Sequence, residues 1–480
     1  MKRALSIILL IVSLLSYFFA PKTYSFDYCF WLHNLFLVSA TLVFILDIRN
    51  EKVGFNLLFS ISFFFTNFVY PVYIYPVDPY YSLFSFPFNE KVITKCTALA
   101  QVAYSMYACG YLWRNKTENT SKSLNFDMAI GAKQMSTITL LIIIYFLAFL
   151  LFGGLDYFED RYERGEMSSN MKVQYLMLFF PSIIIFFAST IFLCKSRKHI
   201  IQTYSILSII ALILLSSGTR TFPLIILSTI FIIHCLRNKV SISLVIPCII
   251  IGILLMSFIG NIRHDGTLSS ELFANQASEI GVLDHFSDLF INSRNLYVLY
   301  DFVDNYSCTF GLTMVSPLLS PIPFAQKIFI IITGVPYYFL NSASLSTFLE
   351  LGDPPAFGLG TNIVGDVYLS FGFIGILICF FALGRFIIYA RKRMLDGSYA
   401  YLIAYLSLAS DAIYMCRASY FDALKIILWT LLFALIMKQT NKQTNKQTNK
   451  QTNKQTNKQI LNNYNIYNRI LGGTDNLVFA

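Results

Sequence analysis

Long apolar runs separated by polar connections fill the chain as far as Met437. Most are long enough to cross a bilayer core as one helix, which takes about 17–25 residues. The pattern predicts spans at Ala4–Ala20, Tyr28–Ile48, Gly54–Tyr75, Val92–Trp113, Ser136–Leu155, Tyr175–Cys194, Ile200–Ser217, Phe222–Leu236, Val240–Gly260, Val367–Tyr389, Tyr399–Cys416 and Phe421–Met437. The fold class is therefore all-α, a polytopic integral membrane protein with about twelve transmembrane helices. The first run follows Lys2-Arg3 and reads as a retained span. Cleavage after Ala20 would put Phe18 where a small residue is needed.

Two polar excursions interrupt the rhythm. Asp156–Gln174 is acidic and aromatic, and residues 261–366 form one large loop. Within that loop Val282–Asp304 carries apolar residues at helical spacing, which predicts an amphipathic helix. The later stretch "KIFIIITGVPYYFL" reads as interfacial, re-entrant or spanning, and the last option would change the count of crossings. After Met437 the pattern collapses into a four-residue polar repeat at 438–459 and a tail at 460–480. The organisation is thus a transmembrane domain at 1–437, the repeat, and a variable tail.

Composition agrees with the pattern. The chain is 56% hydrophobic, 16% aromatic and 13% charged, with a mean hydropathy of +0.60, which excludes an ordinary soluble domain. The nine cysteines show no paired spacing, and most lie in apolar runs where Cys acts as a small hydrophobe. No cofactor or metal site is implied. The net charge of +10 does not indicate nucleic acid, because six of the lysines lie in the repeat. The other basic clusters flank hydrophobic runs: Lys2-Arg3, Arg49/Lys52, Arg114 to Lys133, Lys195 to Lys198, Arg237/Lys239 and Arg391-Lys392-Arg393. Alternating crossings put all six on the side of the N-terminus, which the positive-inside rule makes cytoplasmic. Both termini are then cytoplasmic and the 261–366 loop is external.

The cationic residues singled out on the external side are four. Arg220 lies in "SSGTRT", Arg263 in "GNIRHDG", Arg294 in the loop helix and Arg417 in "MCRASY". Guanidinium groups at one membrane face suit a diphosphate, because the planar fork donates two parallel bonds to phosphate oxygens and stays charged. The bland alternative is four interfacial snorkelling residues. Asp366 at the entry to the tenth span, and His264 beside Arg263, are candidates to orient an Arg or take a proton from a sugar hydroxyl. Gly372, Gly375 and Gly384 in the following span are expected to allow close helix packing.

These features together resemble the Wzy-type O-antigen (oligosaccharide repeat-unit) polymerases. The resemblance rests on "SSGTRT", on "PLLSPIPF" in the long loop, on "GLGTNIVGDVYLSFGFIGILICFFALG" re-entering the membrane, and on the Arg417 turn. It implies a GT-C-like glycosyltransferase of the bacterial inner membrane acting at the periplasmic face. The implied substrate is an undecaprenyl-diphosphate-linked oligosaccharide, and a chain-length regulator protein is an implied partner. An O-antigen ligase shares this chemistry. A lipid-linked oligosaccharide flippase has a similar helix count, but its repeated halves and short loops are not evident here.

The repeat has a separate explanation. CAA-ACA-AAC-AAA encodes Gln-Thr-Asn-Lys, so a tandem CAAA tetranucleotide yields this period in every forward frame. Slippage by one unit, as in phase variation, would keep the repeat and change only the tail. As protein, the segment cannot bury a core and is expected to be disordered.

Overall fold

A computed structural model describes residues 2–47, 53–79, 81, 88–113, 126, 129–163, 170–217, 219, 221–238, 240, 247, 252, 287–353, 355 and 358–472. Among them the fold is all-helical. The first membrane elements are α1 (Lys2–Phe18), α2 (Phe26–Asp47), α3 (Phe55–Phe64), α4 (Ile93–Leu112), α5 (Ala132–Leu151), α6 (Gly154–Glu163), α7 (Met171–Ser189), α8 (Arg197–Ser216) and α9 (Thr221–Arg237). Short helices follow in the large loop: α10 (Ser287–Phe290), α11 (Asn292–Asn305), α12 (Val315–Leu319), α13 (Ala325–Thr333) and α14 (Ser342–Leu351). The chain ends with α15 (Ile363–Leu395), α16 (Tyr399–Met415) and α17 (Asp422–Gly472).

Every predicted span is helical except Val240–Gly260, most of which lies outside the described residues. Among the described residues seven helices are long and apolar enough to cross a membrane, and Arg3–Phe18 and Thr221–Arg237 are shorter apolar helices. The protein is therefore a multi-pass membrane protein. Helix α4 is not among the seven, and the reason is its position. It packs on α1, α2 and α15 and is buried on nearly all sides, so protein satisfies its polar groups and lipid need not. Gln101 Nε2 lies within hydrogen-bond distance of the hydroxyls of Ser13 (3.2 Å), Ser39 (3.3 Å) and Ser105 (3.2 Å), and its two N–H groups are shared among them, joining three helices through one amide.

Close approach fixes the crossing of α4 and α15. A Cβ on Gly384 would collide with the Tyr107 carbonyl oxygen, and one on Gly110 with that of Phe381. Gly384 thus acts as expected. Gly372 does something different: at φ 64°, ψ −156° it breaks α15. The break frees the carbonyls of Leu369 and Ser370, which accept the N–H groups of Thr309 (2.8 Å) and Gly311 (3.0 Å) from the loop. Gly375 faces Phe371 of its own helix rather than a neighbour. Helix α3 continues as a π-helical stretch, Phe65–Ile74, containing Pro71, where the missing N–H favours a wider turn.

One open choice is narrowed and one expectation is corrected. "KIFIIITGVPYYFL" does not span, since α13 has nine residues and is followed by a 3₁₀ turn, Tyr337–Leu340. The repeat is helical within α17 rather than disordered. Gln and Lys are fair helix formers. A helix already begun also extends without a new nucleation cost. The predicted amphipathic helix appears as α10 and α11, its first residues lying outside the described ones, and α11 is buried on nearly every side from Asn292 to Tyr300 rather than along one face.

Candidate functional site at the Arg417 end of the bundle

The described part of the large loop packs over the N-terminus of α15, the π-helical stretch and the turn joining α16 to α17. That turn carries Arg417 and is held from several sides. Tyr420 N–H donates to Asp366 Oδ2 at 2.8 Å, and Ser419 Oγ donates to Asn341 Oδ1 at 3.1 Å. Ile363 N–H donates to the Cys416 carbonyl at 3.2 Å, and the Tyr420 hydroxyl to the Cys379 carbonyl at 2.7 Å. Asp366 is fully buried. Its visible work is to fix a backbone, and through it the root of Arg417.

Arg417 itself is half-buried, with its guanidinium carbon 5.6 Å from the centre of the Tyr414 ring. The Tyr414 hydroxyl donates to Thr221 Oγ1 at 2.8 Å. Thr221 follows Arg220 in the chain. Arg220, Arg263 and His264 lie outside the described residues. Arg294 lies elsewhere than a surface reading suggests. It is 1% exposed, and its Nη2 stands 3.9 Å from Glu350 Oε2 on α14. Burial pushes the guanidinium below its ordinary range, with Glu350 opposing, and pushes the Glu350 carboxyl up, with Arg294 opposing. The pair lies within the cap, so of the two candidate arginines among the described residues Arg417 is the one that is partly exposed.

Amides missed at the sequence level tie the cap to the bundle. Asn362 caps α15 by accepting from Val364 N–H at 2.9 Å, and its Nδ2 donates to Asn67 Oδ1 at 3.0 Å in the π-helical stretch. Asn295 Nδ2 donates to the Leu359 carbonyl at 2.9 Å, Ser346 Oγ to Asn295 Oδ1 at 3.3 Å, and Ser293 Oγ to the Thr66 carbonyl at 2.6 Å. The available signal was Asn67 inside "FFFTNFVYP", since a polar amide in an apolar run needs an internal partner.

A second cation was also missed. Lys95, in the first turn of α4, donates to the Tyr17 carbonyl at 2.7 Å, with its ammonium 4.4 Å from the Tyr17 ring centre. Nearby, Tyr300 stacks on Tyr368 of "GDVY" at 4.9 Å and 8°. Lys95 thus stabilises the carbonyl end of α1, the favourable place for a cation.

What this end of the bundle offers chemically is a guanidinium on a clamped turn at a helix junction. Such a group binds phosphate oxygens without first having to order its own backbone. No curated protein and no solved structure matches the chain. A family model described as O-antigen polysaccharide polymerase Wzy matches residues 3–448, which include the Arg417 turn, Asp366 and the whole cap. The chain therefore belongs to the O-antigen polysaccharide polymerase Wzy family and polymerises O-antigen repeat units.

Proposed function

We propose that this polymerase transfers the reducing-end sugar of one undecaprenyl-diphosphate-linked oligosaccharide to a hydroxyl of another lipid-linked repeat unit. The acceptor oxygen bonds to the anomeric carbon, the bond from that carbon to the phosphate oxygen breaks, and the acceptor hydroxyl loses its proton. Undecaprenyl diphosphate leaves. Arg417 receives the negative charge that grows on the departing diphosphate. Asp366 positions Arg417 through Tyr420. Arg220, Arg263 and His264 are assigned from sequence alone, the arginines to the diphosphate and His264 to the proton.

The observation that carries this reading is the half-buried Arg417 guanidinium on a turn clamped by Asp366 and Asn341. The reading includes about twelve crossings, a GT-C-like arrangement, the inner membrane, cytoplasmic termini and an interaction with a chain-length regulator. The orientation is supported by basic residues at the end opposite Arg417, among the described residues Arg237 and Arg391. There Arg237 donates to the Ile191 carbonyl at 2.9 Å and Arg391 to the Tyr111 hydroxyl at 2.9 Å.

Asp366 separates positioning from acid–base work. Asp366→Asn still offers an oxygen to Tyr420 N–H and is expected to keep the polymer ladder within about tenfold of normal, the equivalent of about 1.4 kcal/mol. Asp366→Ala leaves that N–H unpaired at a cost of about 1–3 kcal/mol and is expected to shorten the ladder. Equal loss in both variants, at equal membrane abundance, would assign the function to the carboxylate charge itself. In the same lipopolysaccharide gels, a deletion strain should retain a single capped repeat unit. Complete loss of attached O-antigen would indicate a ligase or flippase.

The repeat belongs to the gene rather than to the catalyst in this reading. A chain stopped after Lys438 is expected to give a normal ladder, and loss of polymer would tie the repeat to activity. Irregular synonymous codons across 438–459 would remove the slippage explanation.

A further inference from the structure

Helix α13 has nine residues, or about 14 Å at 1.5 Å per residue. Both of its caps have positive φ, 65° at Phe324 and 67° at Gly334, so the chain turns sharply on entering and leaving it. Phe324, Ile328, Ile331 and Ile332 recur at i, i+4, i+7 and i+8 and form one stripe. All four are exposed, Ile331 at 72% and Ile332 at 78%, and exposed Ile322 precedes them. A different face is tied down: Gln326 Nε2 donates to the Ser316 carbonyl at 2.8 Å. Exposed Lys327 borders the stripe, where its stem can follow apolar surface while the ammonium reaches phosphate headgroups.

The depth of this stripe is set by a neighbour. The Phe324 ring lies 6.3 Å from that of Tyr175, one turn into α7. Met171 and Tyr175 are exposed at the external end of that spanning helix. The stripe is thus continuous with the lipid-facing belt of the bundle at its external rim.

We propose that α13 lies in the plane of the external leaflet, with its stripe in the boundary between headgroups and acyl chains and phospholipid as its occupant. The consequence reaches the candidate site through a short connection. From Gly334 the chain runs through the 3₁₀ turn Tyr337–Leu340 to Asn341, which caps α14 and accepts from Ser419 of the Arg417 turn. Seating α13 in the leaflet therefore anchors one side of the Arg417 clamp at the membrane surface. This second step rests on the role proposed for Arg417. The seating itself does not.

The test uses the full chain in nanodiscs of phosphatidylethanolamine and phosphatidylglycerol, with and without bromines high on the acyl chains. Ile331→Trp and Thr333→Trp each add a tryptophan to the three already present. Thr333 is exposed and lies across the helix from the stripe. Seating predicts that the added emission at 331 is quenched by brominated lipid and spared by aqueous iodide, with the reverse at 333. Equal quenching of both by iodide would place the stripe in water and overturn the proposal. Shielding of 331 from both quenchers would replace lipid with a protein contact, such as a second copy of the chain, and would overturn it equally. For the coupling, Ile331→Glu with Ile332→Glu should shorten the polymer at normal abundance. A normal ladder together with lipid quenching at 331 would leave the seating standing and remove the link to Arg417.

Discussion

Arg417→Ala is expected to collapse the O-antigen ladder to a single repeat unit, a loss in polymerisation rate of about 10²–10³-fold. That is the usual effect of removing one preorganised donor from a developing negative charge. The protein should still accumulate in the membrane. The contact of Arg417 with the Tyr414 ring is of a kind worth about 0.5–1 kcal/mol at a partly exposed site. Arg417→Lys keeps the charge but not the planar fork, so most of the loss should persist. Quantitative immunoblotting of membranes alongside lipopolysaccharide gels checks both halves. A normal ladder from Arg417→Ala would remove Arg417 from the diphosphate site. An absent protein would make its role structural.

The largest structural effect is expected at the crossing of α4 and α15. Gly384→Leu should abolish accumulation of folded protein, and Gly384→Ala should lower it markedly. The added Cβ meets backbone, the Tyr107 carbonyl oxygen and, at 2.7 Å, the Tyr111 nitrogen, so no flexible side chain can yield. The helices must move apart, and the tight packing that drives association in lipid is lost with them. Overpacking of this kind costs about 3 kcal/mol or more. Gly358→Ala, with nothing within 4 Å of the new methyl, serves as the control and should behave like the parent. Membrane abundance and the thermal midpoint in detergent are the measurements. Unchanged values for Gly384→Leu would mean that the crossing is looser than this geometry.

The two residues also differ in how openly the sequence announces them. Arg417 is visible because it is a guanidinium in the turn between two apolar runs. Gly384 is visible as a small residue in a span, but its partner Gly110 is not, since 274 positions separate them in the chain. Gly372 resembles Gly384 in sequence, yet it breaks the helix because the Thr309–Gly311 segment waits to take the freed carbonyls. Arg294 and Arg417 likewise look alike as lone external arginines. The fold buries the first against Glu350 and leaves the second at the surface.

The apolar runs by themselves determined the helices of the bundle, and motifs such as "SSGTRT" carried the resemblance to the family. A hydrocarbon layer accepts only helices of a certain length whose backbone bonds are satisfied internally, so span positions can be read locally. The tertiary structure alone decided that Asp366 holds a backbone N–H, that Asn362 finds Asn67, and that α13 turns its isoleucines outward. Those outcomes depend on which polar group finds a partner across the fold. An unpaired polar group away from water costs more than its local sequence reveals.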